Sequence, residues 1–149
     1  MNTTTTSEEA NATQSKKVLY TAKTHTVGGR QGASRTSDGH LDITLSTPGT
    51  PGTGTNPEQL FAAGWSACYQ SAIEIEARKK RITLSPDSAI DAEVDLCTGD
   101  NGYFLQARLN VSLPGLEYEV AQALAEAAHL TCPYSKATHG NIDVVTTVV

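Results

Sequence analysis

The chain has 149 residues and a formal charge of −5, enough for one domain with a real core and too short for two. The charge lies in the body, because Glu8 and Glu9 cancel Lys16 and Lys17 near the N-terminus, and an acidic body argues against a general nucleic-acid binder. Three cysteines without a Cys-x-x-Cys pair are too few for a stapled secreted scaffold, and neither a secretory leader nor a run of about 18 apolar residues is visible, so a soluble, cytoplasmic protein is expected.

Residues 1–17 have no apolar periodicity and no aromatic anchor; they read as a disordered tail, leaving 18–149 as a single domain. Residues 18–27, rich in Thr, Val and Tyr, predict a strand closed by the turn signal Gly28-Gly29. Residues 39–47 alternate, with Leu41, Ile43 and Leu45 on one face and His40, Asp42 and Thr44 on the other, as in a half-buried strand. The Pro/Gly/Thr stretch 48–55 is a loop, and it lacks the Gly-Lys-Ser/Thr ending of a phosphate-cradling one.

Asn56-Pro57-Glu58-Gln59 is a strong helix start: Asn56 suits the N-cap, Pro57 the first helical position and Gln59 the third. The helix is expected to run to about Arg81, with Leu60, Phe61, Gly64, Cys68, Ser71, Ala72 and Ile75 at a 3.6-residue period. Such a helix spans about 36 Å, and a small domain can bury it only by wrapping a sheet around it or docking a second subunit. The basic run Arg78-Lys79-Lys80-Arg81 falls at its end, where cations interact favourably with the helix dipole. Residues 88–97 and 102–113 predict a hairpin around Gly99-Asp100-Asn101-Gly102. Residues 116–131 predict an Ala-rich helix with Leu116, Val120, Leu124, Ala127 and Leu130 toward the core, stopped by Pro133. Residues 141–149 are apolar almost throughout and predict a strand that is central or at an interface. The order strand-strand-helix-hairpin-helix-strand indicates an α+β domain.

The cysteines sit in unequal settings. Cys68 lies more than two turns into the long helix, beyond the reach of the N-terminal dipole, so a reactive thiolate there requires a nearby cation. Gly64 and Ala72 are small enough to leave room against its sulfur, and Trp65 could wall that space. Cys132 is placed at a helix C-terminus, which disfavours a thiolate, and the following proline lets the end fray. A protonated, mobile thiol of that kind suits a resolving role. A free cysteine is ordinarily a small buried hydrophobe, and Cys97 in its strand is read that way.

Val-Leu-Tyr-Thr-Ala (18–22), Gly-Gly-Arg (28–30), Gly-Thr-Asn-Pro-Glu-Gln-Leu-Phe-Ala-Ala-Gly-Trp-Ser-Ala-Cys (54–68), Cys-Pro-Tyr-Ser-Lys-Ala-Thr (132–138) and Gly-Asn-Ile-Asp-Val (140–144) resemble the organic hydroperoxide resistance family, part of the wider group that includes osmotically inducible protein C. The resemblance implies antiparallel strands around a long central helix in an intertwined homodimer, with the active site near the subunit interface. It implies a thiol peroxidase acting on alkyl or fatty-acid hydroperoxides. Cys68 matches the peroxidatic cysteine, Cys132 the resolving one, Arg30 the arginine that contacts the thiolate, and Glu58 the glutamate that holds that arginine. No bound cofactor and no metal are implied; the reductant is dihydrolipoamide, free or on a lipoylated protein. A pocket walled by Phe61 and Trp65 would favour organic peroxides over hydrogen peroxide. Two alternatives stand beside this reading: a broader-specificity peroxidase of the osmotically inducible branch, and a metal-binding or non-catalytic redox-sensing module built on Cys132, His129 and His139.

Overall fold

Asn56 Oδ1 accepts a hydrogen bond from the Gln59 N–H at 2.9 Å, and Pro57 occupies the first turn, so helix α1 (Pro57–Lys79) begins where the cap predicts. It sits within a computed structural model that describes residues 15–149. The tail expected at 1–17 therefore lies mostly outside the described residues; 15–17 are exposed and without regular structure. Before α1 come three short strands, β1 (Thr24–Val27), β2 (Ala33–Thr36) and β3 (Asp42–Thr44), with a 3-10 turn at Gly29–Gln31 between the first two. After it come the hairpin strands β4 (Ala89–Gly99) and β5 (Gly102–Ser112), helices α2 (Tyr118–Thr131) and α3 (Pro133–Thr138), and strand β6 (Asp143–Val148).

The strands form two sheets, ordered β1-β2-β3 and β4-β5-β6. The first is antiparallel throughout, with Thr24 opposite Thr36 and Ala33 opposite Thr44. In the second, β4 and β5 pair antiparallel, Ala89 opposite Ser112, around the two-residue Asp100-Asn101 loop. The expectation of antiparallel strands fails at β6, which pairs with β5 in parallel, Ala107 beside Val144. The reason is the connection: a crossover through α2 and α3 returns the chain in its original direction, which a tight turn cannot do. Nor is β6 central in the chain. It is an edge strand with Val144, Thr146 and Val148 turned inward and Val145 exposed, and β5 takes the middle.

Further expectations are corrected. The strand predicted over 18–27 is confined to Thr24–Val27, and Val18, Leu19 and Tyr20 stand exposed among the described residues. The strand β2 was not marked by any alternation, because its four residues, Ala-Ser-Arg-Thr, carry no apolar signal. The buried stripe of α1 is Trp65, Tyr69, Ala72, Ile73, Glu76 and Ala77, rotated from the predicted one; Phe61, Cys68 and Ile75 lie half-buried or exposed beside it. In α2 the buried positions are Ala121, Leu124, Ala125 and Ala128, whereas Leu130 points outward. Small alanines face the core here because α1 and α2 pack closely, which a search for large apolar residues misreads.

The core lies between the inner face of the second sheet (Ala107, Leu109, Val111) and the two long helices, which contribute Trp65, Tyr69, Ile73 and Leu124. Tyr69 is fully buried, and its hydroxyl donates to the Ala125 carbonyl at 2.6 Å, clamping α1 to α2. On the outer face Arg108 bonds Glu93 and both oxygens of Asp95, and together with Gln106 it holds the Asp95 carboxyl down to about 2. Among the described residues no helix is long and apolar enough to cross a membrane. Leu109 is completely buried at the centre of β5, so Leu109→Ala should lower the unfolding free energy by about 2–5 kcal/mol, read from urea denaturation midpoints at constant m.

Candidate active site

Cys68 and Cys132 are brought together: their sulfurs lie 3.4 Å apart, although 64 residues separate them in sequence. Cys68 rides on α1, half-buried, and Cys132 is wholly buried at the junction of α2 and α3. The second placement corrects the sequence expectation of a mobile thiol on a fraying end. Pro133 does stop α2, but it also starts α3, whose N-cap is Cys132 itself, its sulfur accepting from the Ser135 N–H at 3.4 Å. The preceding residue is tied down as well, since Thr131 Oγ1 donates to Glu76 of α1 at 2.6 Å. The end of α2 is anchored on both sides.

Gly64 does not open a space beside the sulfur. A methyl group built there would stand 2.8 Å from the Tyr134 hydroxyl, so the α3 aromatic fills that side. Ala72 is in the core. Burial raises the Cys68 thiol above its ordinary value, and the adjacent Cys132 adds to this, while the Tyr134 backbone N–H works in the opposite direction. Within a single chain the thiol is thus poised to keep its proton at neutral pH.

Arg30 and Glu58 form a two-point fork, Nη1 to Oε2 at 3.0 Å and Nη2 to Oε1 at 2.6 Å. The 3-10 turn after β1 presents the arginine, with Gly28 and Gly29 both in the left-handed region that glycine tolerates. Glu58 sits in the first turn of α1, which also favours its charge. No hydrogen bond or ion pair connects Arg30 to Cys68 among the described residues. Glu58 and Cys68 are ten residues apart on one helix, or about 15 Å along its axis. The fork holds Arg30 at the Glu58 end of that interval, and the thiol sits at the other.

The two aromatic residues expected in a pocket part company. Phe61 lines a cavity of about 260 Å³ with Arg30, Glu58, Leu96, Tyr103 and Phe104. Trp65 meets Phe61 edge-on at 5.7 Å but is itself buried, and it borders a different cavity of about 510 Å³ under α3. Sequence reasoning missed Ser135 and Thr146, and considered His129 only as a metal or redox-module residue. The Ser135 hydroxyl lies 3.1 Å from Trp65 Nε1 and 2.8 Å from His129 Nδ1, while His129 Nε2 lies 2.7 Å from Thr146 Oγ1. The spacing Cys-Pro-x-Ser, a cap followed by proline and a third-position N–H, could have marked α3.

The carboxyl of Glu58 is held below its ordinary range chiefly by the hydrogen bonds from Arg30. A depressed carboxylate adds stability above its unfolded pKa and loses it as pH falls through the folded one. Arg30→Ala should therefore raise the Glu58 titration midpoint, measured by carboxyl NMR, and flatten the acid-side fall of stability that this group contributes.

The comparisons agree with this architecture. Residues 47–147 match the family model described as OsmC-like protein. An organic hydroperoxide resistance protein of Xanthomonas axonopodis pv. citri is 43% identical over 137 residues, covering 89% of this chain and 96% of that protein. The crystal structure of the organic hydroperoxide resistance protein OhrB of Bacillus subtilis superposes with a TM-score of 0.84 at 42% identity, covering 89% of this chain and all of that one. The crystal structure of an organic hydroperoxide resistance protein OsmC from Legionella pneumophila gives 0.83 at 43% identity, covering 89% of this chain and 98% of that one. With this α+β fold and identity above 40% over nearly nine-tenths of its length, the chain belongs to the OsmC/Ohr family, alongside the organic hydroperoxide resistance proteins.

Proposed function

We propose that this protein is a cytoplasmic thiol peroxidase that reduces organic hydroperoxides to alcohols through Cys68 and Cys132. The observation that carries the reading is the 3.4 Å approach of a half-buried sulfur to a fully buried one, with relatives named for organic hydroperoxide resistance. The Cys68 thiolate attacks the terminal peroxide oxygen; the O–O bond breaks, the alkoxide takes a proton and leaves as alcohol, and Cys68 becomes a sulfenic acid. Cys132 condenses with it, its thiol proton leaving with the hydroxyl as water, and the sulfurs close from 3.4 Å to the bonded distance of about 2.05 Å. A dithiol of the dihydrolipoamide class, free or protein-bound, reopens the disulfide.

The guanidinium that such a thiolate needs comes, in this reading, from a second copy. Arg30 stays forked to Glu58, and the pair activates Cys68 of the partner subunit, stabilising the thiolate and then the leaving oxygen. What supports a homodimer is apolar surface left exposed among the described residues: Val18, Leu19 and Tyr20, the thinly buried first sheet, and the Phe61–Cys68–Ile75 face of α1. Phe61, Leu96, Tyr103 and Phe104 beside Arg30 give the peroxide an apolar approach suited to an alkyl chain. Trp65 serves as support behind the cysteines. The broader osmotically inducible type of peroxidase shares this machinery and is separated by comparing rates with organic and hydrogen peroxide. The metal-binding alternative is disfavoured because both His129 nitrogens are engaged by Ser135 and Thr146, and no group of three potential ligands gathers among the described residues.

Cys68→Ser should abolish turnover of cumene hydroperoxide with dihydrolipoamide as donor, and retained turnover would sink the assignment. Cys132→Ser should give a single turnover followed by overoxidation of Cys68, seen by mass spectrometry. For the two-subunit site, mixing inactive Cys68→Ser and Arg30→Ala proteins should recover about a quarter of wild-type activity, because random pairing leaves one intact site in half of the dimers. No recovery would place Arg30 and Cys68 in the same chain.

A further inference from the structure

Three elements meet at the Ser135 hydroxyl, and a fourth is linked to it through His129. Trp65 of α1 reaches it at 3.1 Å and His129 of α2 at 2.8 Å, while His129 continues to Thr146 of β6 at 2.7 Å. An indole N–H can only donate, so the serine oxygen accepts from Trp65 and its own hydrogen is free to donate to His129 Nδ1. His129 Nε2–H then donates to Thr146. Burial lowers the His129 pKa, and stacking on Tyr69 at 4.4 Å holds the ring in place, both of which suit a neutral imidazole. The backbone N–H of the same serine donates to the Cys132 sulfur at 3.4 Å.

We propose that the Cys68–Cys132 disulfide is reopened by attack on the Cys68 sulfur, with Cys132 departing as a thiolate toward the Ser135 N–H, and that Ser135, fixed by Trp65 and His129, is a positioning residue for this reductive step. The inference rests on the disulfide of the proposed function and adds which sulfur is attacked and what receives the other. Cys132 is 0% exposed and belongs to the core cluster with Trp65, Tyr69, Leu124 and Ala128, so no reductant can come in line behind it. Cys68 is partly open to solvent. An incoming thiolate RS⁻ bonds to Cys68, the S–S bond breaks, and its electron pair leaves on Cys132. The second thiol of the reductant then displaces Cys68, and the reductant is oxidised to its own disulfide.

A thiolate released inside a core is costly unless a donor awaits it. The Ser135 N–H is that donor, and the hydroxyl clamp keeps it from following the Cys132 sulfur when the disulfide closes. Leaving-group ability, which governs such exchanges, then depends on a side chain that touches neither peroxide nor reductant.

The test uses the full chain with its disulfide installed by diamide, so the peroxide reaction is not involved. A brief pulse of 2-mercaptoethanol, quenched with N-ethylmaleimide and mapped by peptide mass spectrometry, should place the mixed disulfide on Cys68 and the maleimide on Cys132. Mixed disulfide on Cys132, or equal amounts on both, would overturn the inference. Ser135→Ala should slow reduction of the same disulfide by dihydrolipoamide about fivefold, the equivalent of one ordinary hydrogen bond, with Ser135→Thr restoring the rate. The emission of Trp65, the chain's one tryptophan, should respond to disulfide closure in the wild type and lose that response in Ser135→Ala. Wild-type reduction kinetics in Ser135→Ala would remove the positioning role. Should Ser135→Ala fail to fold, the mapping on the wild-type protein decides alone. Loss of peroxide turnover in the wild type would instead sink the proposed function and leave the mapping intact.

Discussion

Helix α1 runs unbroken for 23 residues, and that rigidity sets the terms for everything near it. It holds Glu58 in its first turn and Cys68 almost three turns further on, so the arginine fork and the sulfur cannot share one place along the same helix. Glycine within the helix, at Gly64, does not bend it; the missing side chain makes room for the Tyr134 hydroxyl instead. In the proposed function, a site that joins the first turn of such a rod to its middle takes a second copy of the rod beside it. The half-exposed face carrying Phe61, Cys68 and Ile75 is the surface where that would happen.

The thiol pair shows how packing can supply order where local sequence suggests mobility. Cys132 is pinned from before by Thr131 on Glu76, and from after by the first turn of α3, while its sulfur faces Cys68. A thiol held this close to a second sulfur needs little travel to form a bond with it. Burial has an opposite consequence for Cys68, whose thiol is driven toward its protonated form in the isolated chain. The same low-dielectric setting strengthens the effect of any cation beside it, which is why the proposed function calls on a guanidinium. The Trp65–Ser135–His129–Thr146 chain fits this picture, satisfying every polar atom it buries while joining α1, α2, α3 and β6.

Local chemistry was legible in the residues themselves. Asn56-Pro57 begins α1 because a side-chain acceptor and a fixed φ act within one turn, and the Asp100-Asn101 loop joins β4 to β5 for the same short-range reason. The blocks around Cys68 and Cys132 were enough to indicate the family, which the comparisons establish. Tertiary structure alone decided the direction of β6, which depends on the whole crossover from β5 rather than on the strand's own valines. It also decided which stripe of α1 is buried, since that is set by the alanines of α2 and the inner face of β5. The meeting of Cys68 with Cys132, and of Ser135 with Trp65 and His129, belongs to the same class. These contacts span up to 70 residues, and no local propensity carries information over that separation; only the packing of complete elements against one another does.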